Sequence, residues 1–107
     1  MPYIKKEIRE LIDKPLDNLV RVVQNNFGED EVEGAANYII SRLLCNMMKP
    51  EGSLWRYKYI NRVSGVLAQV QSEFNRRIKD PYEDQCINNN GDLKEFSLEN
   101  IVPKPKI

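Results

Sequence analysis

A long helical pattern in residues 57–92 constrains the fold of this chain more than any other feature. Its apolar side chains recur at the spacing of one helix face: Ile60, Val63, Val66, Leu67, Val70, Phe74 and Ile78. The pattern stops at Asp80-Pro81, because proline disfavours helical geometry in the residue before it. We therefore predict a long helix over about 54–79 that ends before Pro81.

A shorter helix is predicted directly after this boundary. Asp80 can act as its N-cap, Pro81 suits the first turn, and Glu83 completes a capping box. The helix should end near Asn88, because the Asn and Gly residues that follow accept a positive φ. The last residues alternate weakly and contain Pro and Lys, so we expect residues 93–107 to form an extended or partly disordered tail.

Two further helical patterns precede the long one. Residues 1–12 suit either a short helix or an extended arm, and Asp13 can cap a helix in which the following proline falls in the first turn. Asp30 and Glu33 form a capping box that opens the next helix, over about 30–49. The apolar residues of that helix cover about half of its circumference, so it needs more than one neighbour.

Together these patterns predict an all-α protein. The short connection between the two long helices favours antiparallel packing, which gives a helical hairpin or bundle with two or three shorter helices beside it. A length of 107 residues fits one domain. We place this domain at residues 1–92, before the extended C-terminal tail.

Composition narrows the classes of function. The 16 basic and 16 acidic residues cancel, and histidine, the commonest general base, is absent. Cys45 and Cys86 form neither a disulfide framework nor a metal knuckle. No apolar run approaches the roughly 20 residues of a membrane span, and the first residues lack the apolar region of a signal peptide. We expect a cytoplasmic protein with reduced cysteines, no cofactor, no metal and no catalytic residues.

Glu73 can be interpreted as a ligand site together with Arg76 and Arg77, which lie one helical turn further on. Charge on a packed helix face is costly unless it is paired. The alternative is an intrahelical salt bridge worth a few tenths of a kcal/mol, and we prefer it because charged pairs are more often structural than functional. Asn37 falls inside the apolar arc of its helix and must find partners, either in packing or in a ligand.

Aromatic and basic residues alternate in residues 54–62. The cations there are Arg56, Lys58 and Arg62, beside Trp55, Tyr57 and Tyr59. Such a mixture can stack bases and contact phosphates. We do not expect nucleic-acid binding, because the chain is neutral and the aromatic residues follow helical spacing. A smaller anionic ligand fits this segment better.

Small side chains form a seam on the long helix, opposite its apolar stripe: Asn61, Gly65, Ala68 and Ser72. They let another helix approach closely, and a glycine in mid-helix costs about 1 kcal/mol relative to alanine. The seam predicts a homo-oligomer, most simply a two-fold dimer that buries on the order of 1,200 Å² in total. The competing account is that the N-terminal arm or the C-terminal tail of the same chain covers this small-residue seam.

Several segments resemble a family of small uncharacterised proteins of phages, prophages and some archaea. They are MPYI, NYIISRLL, YINRVSGVL, EFNRR, PYED and NNNGD, and the resemblance covers roughly residues 1–4 and 34–92. This family has no assigned activity, so the resemblance implies a setting and not a mechanism. The matching polar positions and glycine are those to mutate first: Asn37, Arg42, Asn61, Glu73, Arg77, Tyr82, Glu83, Asp84, Gly91 and Asp92.

Three functional hypotheses follow. The first is a non-catalytic oligomeric interaction module, and the second is a sponge for an anionic, nucleotide-like ligand at a subunit interface. The third is a carboxylate-metal nucleotide hydrolase, although the paired acidic spacing of all-α pyrophosphohydrolases is missing. The candidate binding residues are Asn37, Arg42, Arg56, Lys58, Asn61, Arg62, Glu73, Arg76, Arg77, Tyr82, Glu83, Asp84 and Asp92.

Overall fold

The computed structural model describes residues 2–105, which contain helices and no strand. The α-helices are α1 (Lys6–Asn26), α2 (Val32–Met47), α3 (Tyr57–Phe74), α4 (Asp80–Asn90) and α5 (Leu98–Ile101). Short 3-10 turns cover Glu29–Glu31 and Lys94–Phe96, and a π-helical turn covers Asn75–Lys79. Helical residues therefore run unbroken over 29–47 and 57–90. The predicted all-α hairpin of two long helices with shorter ones is confirmed.

The chain divides into two compact units, residues 1–70 and 71–107. The first unit contains α1, α2 and most of α3, and the second contains the end of α3, the π-helical turn and α4. The region predicted as a tail also holds the last 3-10 turn and α5. A single domain at residues 1–92 stays a prediction.

Helix α1 begins earlier than the capping pattern indicates. It starts at Lys6, and Asp13 lies inside the helix rather than at its N-cap. The Ile8 and Arg9 amides donate to the Lys5 carbonyl, at 3.0 and 3.1 Å, and so close the first turn. Helix propagation is cooperative, so a turn formed there extends through Pro15 although proline lacks the N–H for one hydrogen bond.

The start of α2 differs from the predicted capping box of Asp30 and Glu33. The Glu31 carboxylate accepts the Gly28 N–H at 3.1 Å, and the Glu31 N–H donates to the Gly28 carbonyl at 2.9 Å. This reciprocal pair closes the 3-10 turn, and α2 follows from Val32. Gly28 is extended, at φ −77° and ψ 170°, as an N-cap residue should be, which moves the box two residues earlier.

The predicted helix boundary at Asp80-Pro81 is wrong. The Asp80 N–H donates to the Asn75 carbonyl, five residues back, and Asp80 has helical angles of φ −64° and ψ −47°. An α-helical turn would press the Pro81 ring against the carbonyl four residues before it. A π-helical turn widens the backbone at this place, so the helix passes the proline without ending.

The PYED segment consequently lies inside a continuous helix rather than at a new start. No side chain caps the beginning of α4, so the predicted capping box of Asp80 and Glu83 is not formed. The helix ends at Asn90 instead of Asn88, where Gly91 takes φ 86° and donates its N–H to the Ile87 carbonyl at 2.8 Å.

Asp80→Ala should therefore change the free energy of unfolding by less than about 0.5 kcal/mol, whereas loss of an N-cap typically costs about 1 kcal/mol. Gly91→Ala is the matched positive control, because a Cβ at φ 86° is strained. Urea unfolding followed by circular dichroism measures both variants. If Asp80→Ala lowered the free energy of unfolding by more than about 1 kcal/mol, Asp80 would be an N-cap, and the helix would not be continuous.

Candidate interaction surface

Apolar side chains in this chain are arranged in helical faces, but few of them are covered. Among residues 2–105, only Ala35 and Tyr59 are buried. Apolar residues of α2 and α3 that the helical patterns assign to a core are partly exposed, including Ile40, Leu43, Ile60 and Leu67. The helices are formed, but their apolar faces remain largely exposed to solvent.

One of these open surfaces is a groove of about 560 Å³, which we call the α2–α3 groove. Its lining residues share one face of each helix: Asn37, Ile40, Ser41, Leu44 and Cys45 from α2, and Ile60, Val63, Ser64 and Leu67 from α3, with Trp55 beside them. The large side chains Ile40, Trp55, Ile60 and Leu67 keep 44–48% of their surface exposed. The groove is therefore an apolar strip that is open to solvent.

Helix α2 is also exposed on its other sides. A second groove, of about 460 Å³, lies between α1 and α2 and includes Leu19, Phe27 and Ile39. A third, of about 390 Å³, includes Leu43 and Met47 and also Leu19 and Ile39. The wide apolar arc of α2 thus lines grooves with α1 on one side and with α3 on another, and it still leaves apolar surface exposed.

The polar pair of the α2–α3 groove is Asn37 and Ser41, one helical turn apart. The Ser41 hydroxyl donates to Asn37 Oδ1 at 3.3 Å. Asn37 is exposed, and the interpretation of it as a buried residue does not hold within one chain, because the groove that it lines is open. A chain that covered this groove would bury the pair.

Charges lie at the two ends of this groove. The Lys49 ammonium group lies 5.6 Å from the centre of the Trp55 ring, and Arg56 follows Trp55 in the chain. The Arg56 carbonyl accepts the Tyr59 and Ile60 N–H groups at 3.0 Å each, so the residue caps α3. At the other end, Glu33 lies one turn before Asn37 on the same face of α2.

The other predicted cations of this segment are engaged by a ring of their own helix. Lys58 Nζ lies 5.3 Å from the centre of the Tyr59 ring, and the Arg62 guanidinium carbon lies 5.5 Å from it. Tyr59 is buried. Lys58 and Arg62 therefore lie beside an aromatic residue, whereas Arg42 is separate from them and lines the third groove.

Glu73 and Arg76 form the intrahelical ion pair that their spacing indicates. Arg76 Nη2 lies 2.5 Å from Glu73 Oε1, with the Glu73 side chain 25% exposed and that of Arg76 63% exposed. A pair so accessible to solvent is worth a few tenths of a kcal/mol. This pair is the intrahelical salt bridge that the sequence favours, and a ligand site of Glu73, Arg76 and Arg77 stays a prediction.

The remaining acidic candidates are dispersed. Tyr82, Glu83 and Asp84 are exposed in the first turns of α4, and Asp92 Oδ1 accepts the Leu93 N–H at 2.7 Å. Over the described part of the chain, no group of three or more Asp, Glu or Cys residues could hold a metal ion. In the same residues, no helix is both long and apolar enough to cross a membrane.

The predicted small-residue seam is exposed where its glycine lies. A Cβ built on Gly65 would meet no atom within 4 Å, and Asn61, Ala68 and Ser72 are also exposed. The seam thus stays available as a surface, and its role in oligomer formation stays a prediction.

Sequence reasoning missed three groove residues as parts of a site, Ser41, Cys45 and Ser64, and it assigned Trp55 to an aromatic and basic segment instead of to this groove. A signal was present, because Ser41 and Cys45 follow Asn37 at four-residue intervals on the apolar face of α2. Trp55 precedes the helical periodicity, so its place beside the groove depends on the turn at Glu51–Gly52, where Gly52 takes φ 78°.

The comparisons with other proteins bear on the family and not on the activity. No curated protein and no solved structure is similar enough to this chain to count as a match. One family, described as a domain of unknown function (DUF6899), matches residues 1–93. This match includes residues 5–33, which lie outside the segments that resemble phage and archaeal proteins. The chain therefore belongs to this family of uncharacterised domains, DUF6899.

Proposed function

We propose that this protein is a non-catalytic interaction module that works as a homo-oligomer, most simply a two-fold dimer. The observation that carries the proposal is the surface that one chain leaves exposed, 10165 Å². If residues 1–70 and residues 71–107 were two separate compact units, they would together expose roughly 7,400 Å². The chain thus exposes roughly 2,800 Å² more surface than two separate compact units would. A standard interface buries about 800 Å² of each partner.

Energetics supports the same proposal. Ordering a residue costs about 1–2 kcal/mol of backbone entropy, and apolar burial returns about 25 cal/mol for each Å². Helices of this length depend on tertiary packing of their apolar faces. With only Ala35 and Tyr59 buried in the described chain, most of that packing must come from outside it.

A second copy of the chain is the simplest source of this packing. A two-fold interface buries the same patch on both chains, so one exposed apolar surface serves twice. Between Glu33 and Lys49, α2 carries Arg42 as its single charged residue. Depletion of charge is typical of the central part of homodimer interfaces.

Sedimentation equilibrium of the parent protein at micromolar concentration tests the proposal. We expect the mass of a dimer or a higher oligomer, and a thermal midpoint that rises with protein concentration, because association stabilises only the folded chain. A helical monomer whose midpoint does not depend on concentration would overturn the proposal.

The nucleotide sponge is the second candidate, because Lys49, Lys58 and Arg62 lie against aromatic rings near one end of α2 and α3. Such cations can meet an anionic ligand at a subunit interface. Native mass spectrometry of protein from cell extract, followed by incubation with nucleotides with and without Mg²⁺, separates the hypotheses. A retained ligand favours the sponge, and turnover favours the hydrolase. If neither a retained ligand nor turnover is observed, the interaction module remains.

A phage or prophage setting and a cytoplasmic location are also part of the proposal. The first is supported by the segments that resemble phage and archaeal proteins, and the second by the free cysteines Cys45 and Cys86. Adjacent phage genes in the source genome, and recovery of the protein in the cytosolic fraction, are the expected results.

A further inference from the structure

We infer that two copies pack with their α2–α3 grooves facing each other and their α2 helices antiparallel, so that the acidic end of each α2 meets the basic end of the other. This inference rests on the proposed homo-oligomer and names its surface and orientation.

Charge along the α2–α3 hairpin is polarised. Acidic residues lie around the start of α2: Glu29, Asp30, Glu31 and Glu33. Basic residues lie past its other end, Lys49 after α2 and Arg56 before α3, with the single acidic residue Glu51 between them. Between Glu33 and Lys49, Arg42 alone is charged. A parallel pair would place like charges together at both ends. An antiparallel pair brings opposite charges together twice, which favours association and fixes the orientation.

The charged residues at the two ends flank the groove, next to residues that line it. Glu33 shares a helix face with Asn37 and lies one turn before it, and Asn37 lines the groove. Lys49 lies over the ring of Trp55, which also lines the groove. A helix pair seated in two facing grooves therefore brings Glu33 of one copy towards Lys49 and Arg56 of the other.

The two-fold axis follows from the same spacing. The groove residues of α2 run from Asn37 to Cys45 and centre on Ser41. An axis near Ser41 places Asn37 of one copy opposite Cys45 of the other. The hydrogen-bonded pair of Asn37 and Ser41 is then enclosed at the centre of the interface. A polar pair in an apolar interface can fix its register, as a core asparagine does in coiled coils.

The chain as a whole exposes enough surface for such an interface. A stable dimer needs about 800 Å² from each chain, and the excess surface of the whole chain, of which the groove is one part, is roughly 3.5 times that amount. The groove offers apolar side chains at its centre and charges only at its ends. This is the usual arrangement of an interface, with an apolar core and a polar rim.

A charge exchange tests the orientation. One variant carries Asp30→Lys and Glu33→Lys, and the other carries Lys49→Glu and Arg56→Glu; Glu31 is kept because it accepts the Gly28 N–H. Each variant alone has like charges at both contacts, so we expect dimer dissociation constants at least 10-fold above that of the parent. A 1:1 mixture has opposite charges at both contacts and should form a heterodimer. The inference fails if each variant dimerises like the parent, or if two helical variants do not associate in the mixture.

A cross-link tests the position of the axis without changing charge. Ser41→Cys in a chain with Cys45→Ser and Cys86→Ser should form a disulfide-linked dimer in air, because two copies of residue 41 lie close to the axis. Asn46→Cys, in the same background, is the control. Asn46 lies on α2 but lines the third groove, and it should remain reduced and monomeric on a denaturing gel. Equal cross-linking of the two variants would overturn the inference.

Gly65→Leu separates this inference from the proposed function. With the dimer in the α2–α3 groove, Gly65→Leu should sediment as the parent does. If Gly65→Leu is monomeric while both charge variants still dimerise, the interface lies at the small-residue seam, and the inference falls while the homo-oligomer stands. If the parent itself sediments as a monomer, both fall.

Discussion

Ile40→Asp should convert the dimer into a monomer at micromolar concentration. In a single chain the Ile40 side chain is 48% exposed, so an aspartate there would remain hydrated. In the proposed dimer the same position is enclosed near the two-fold axis, where a carboxylate loses water and gains no cation. Burying an unpaired charge in this way costs at least about 2 kcal/mol for each copy. Both copies together weaken dimerisation by roughly 4 kcal/mol, on the order of 1,000-fold in Kd.

Leu11→Asp is the matched control for this substitution. Leu11 is also an aliphatic residue in a helix, but it is 77% exposed and lines none of the three grooves. It should leave the dimer constant within about threefold, since surface substitutions cost within about 0.5 kcal/mol. Sedimentation of both variants over a range of concentrations gives the two constants. An Ile40→Asp protein as dimeric as the control would show that the α2–α3 groove stays open in solution.

Periodicity predicted which residues share a helix face but not whether that face is covered. Ile60, Val63 and Leu67 occur on one face of α3, as their spacing indicates, and all three line the groove. The same spacing suggested a core, because an apolar stripe is usually covered by the rest of its own chain. Coverage depends on how many elements are present to pack against each other, and this chain leaves α2 and α3 half exposed.

Local signals were reliable where one helical turn determined the outcome. The spacing of Glu73 and Arg76 predicted an ion pair, and the structure contains it. Capping signals were less reliable, because they compete with their neighbours. Glu31, two residues before Glu33, accepts the Gly28 N–H, and the extended backbone of Gly28 makes that N–H available.

Proline signals failed for a different reason. Both Pro15 and Pro81 were predicted to lie in the first turn of a helix, and both lie within continuous helical segments. At Pro81 the π-helical turn accommodates the ring. A pattern read from single residues does not contain the cooperative gain of extending a helix that has already formed.

Pro15→Ala should stabilise the protein by about 2 kcal/mol. Within a helix interior, proline is about 3 kcal/mol less favourable than alanine, because it removes a hydrogen bond and crowds the carbonyl four residues before it. That carbonyl belongs to Leu11. The greater freedom of the unfolded chain with alanine offsets the gain by about 0.4–1 kcal/mol. A change of this size should raise the midpoint of thermal unfolding by about 10 °C for a domain of this length.

Lys14→Ala and Asp13→Ala complete the comparison. Lys14→Ala keeps the proline and should change the free energy of unfolding by less than about 0.5 kcal/mol. Asp13→Ala should be similarly neutral if α1 begins at Lys6, but should cost about 1 kcal/mol if Asp13 is an N-cap. All three are measured at one protein concentration, because association shifts the midpoint. A destabilised Pro15→Ala together with a costly Asp13→Ala would place the start of α1 at Asp13, with Pro15 in its first turn.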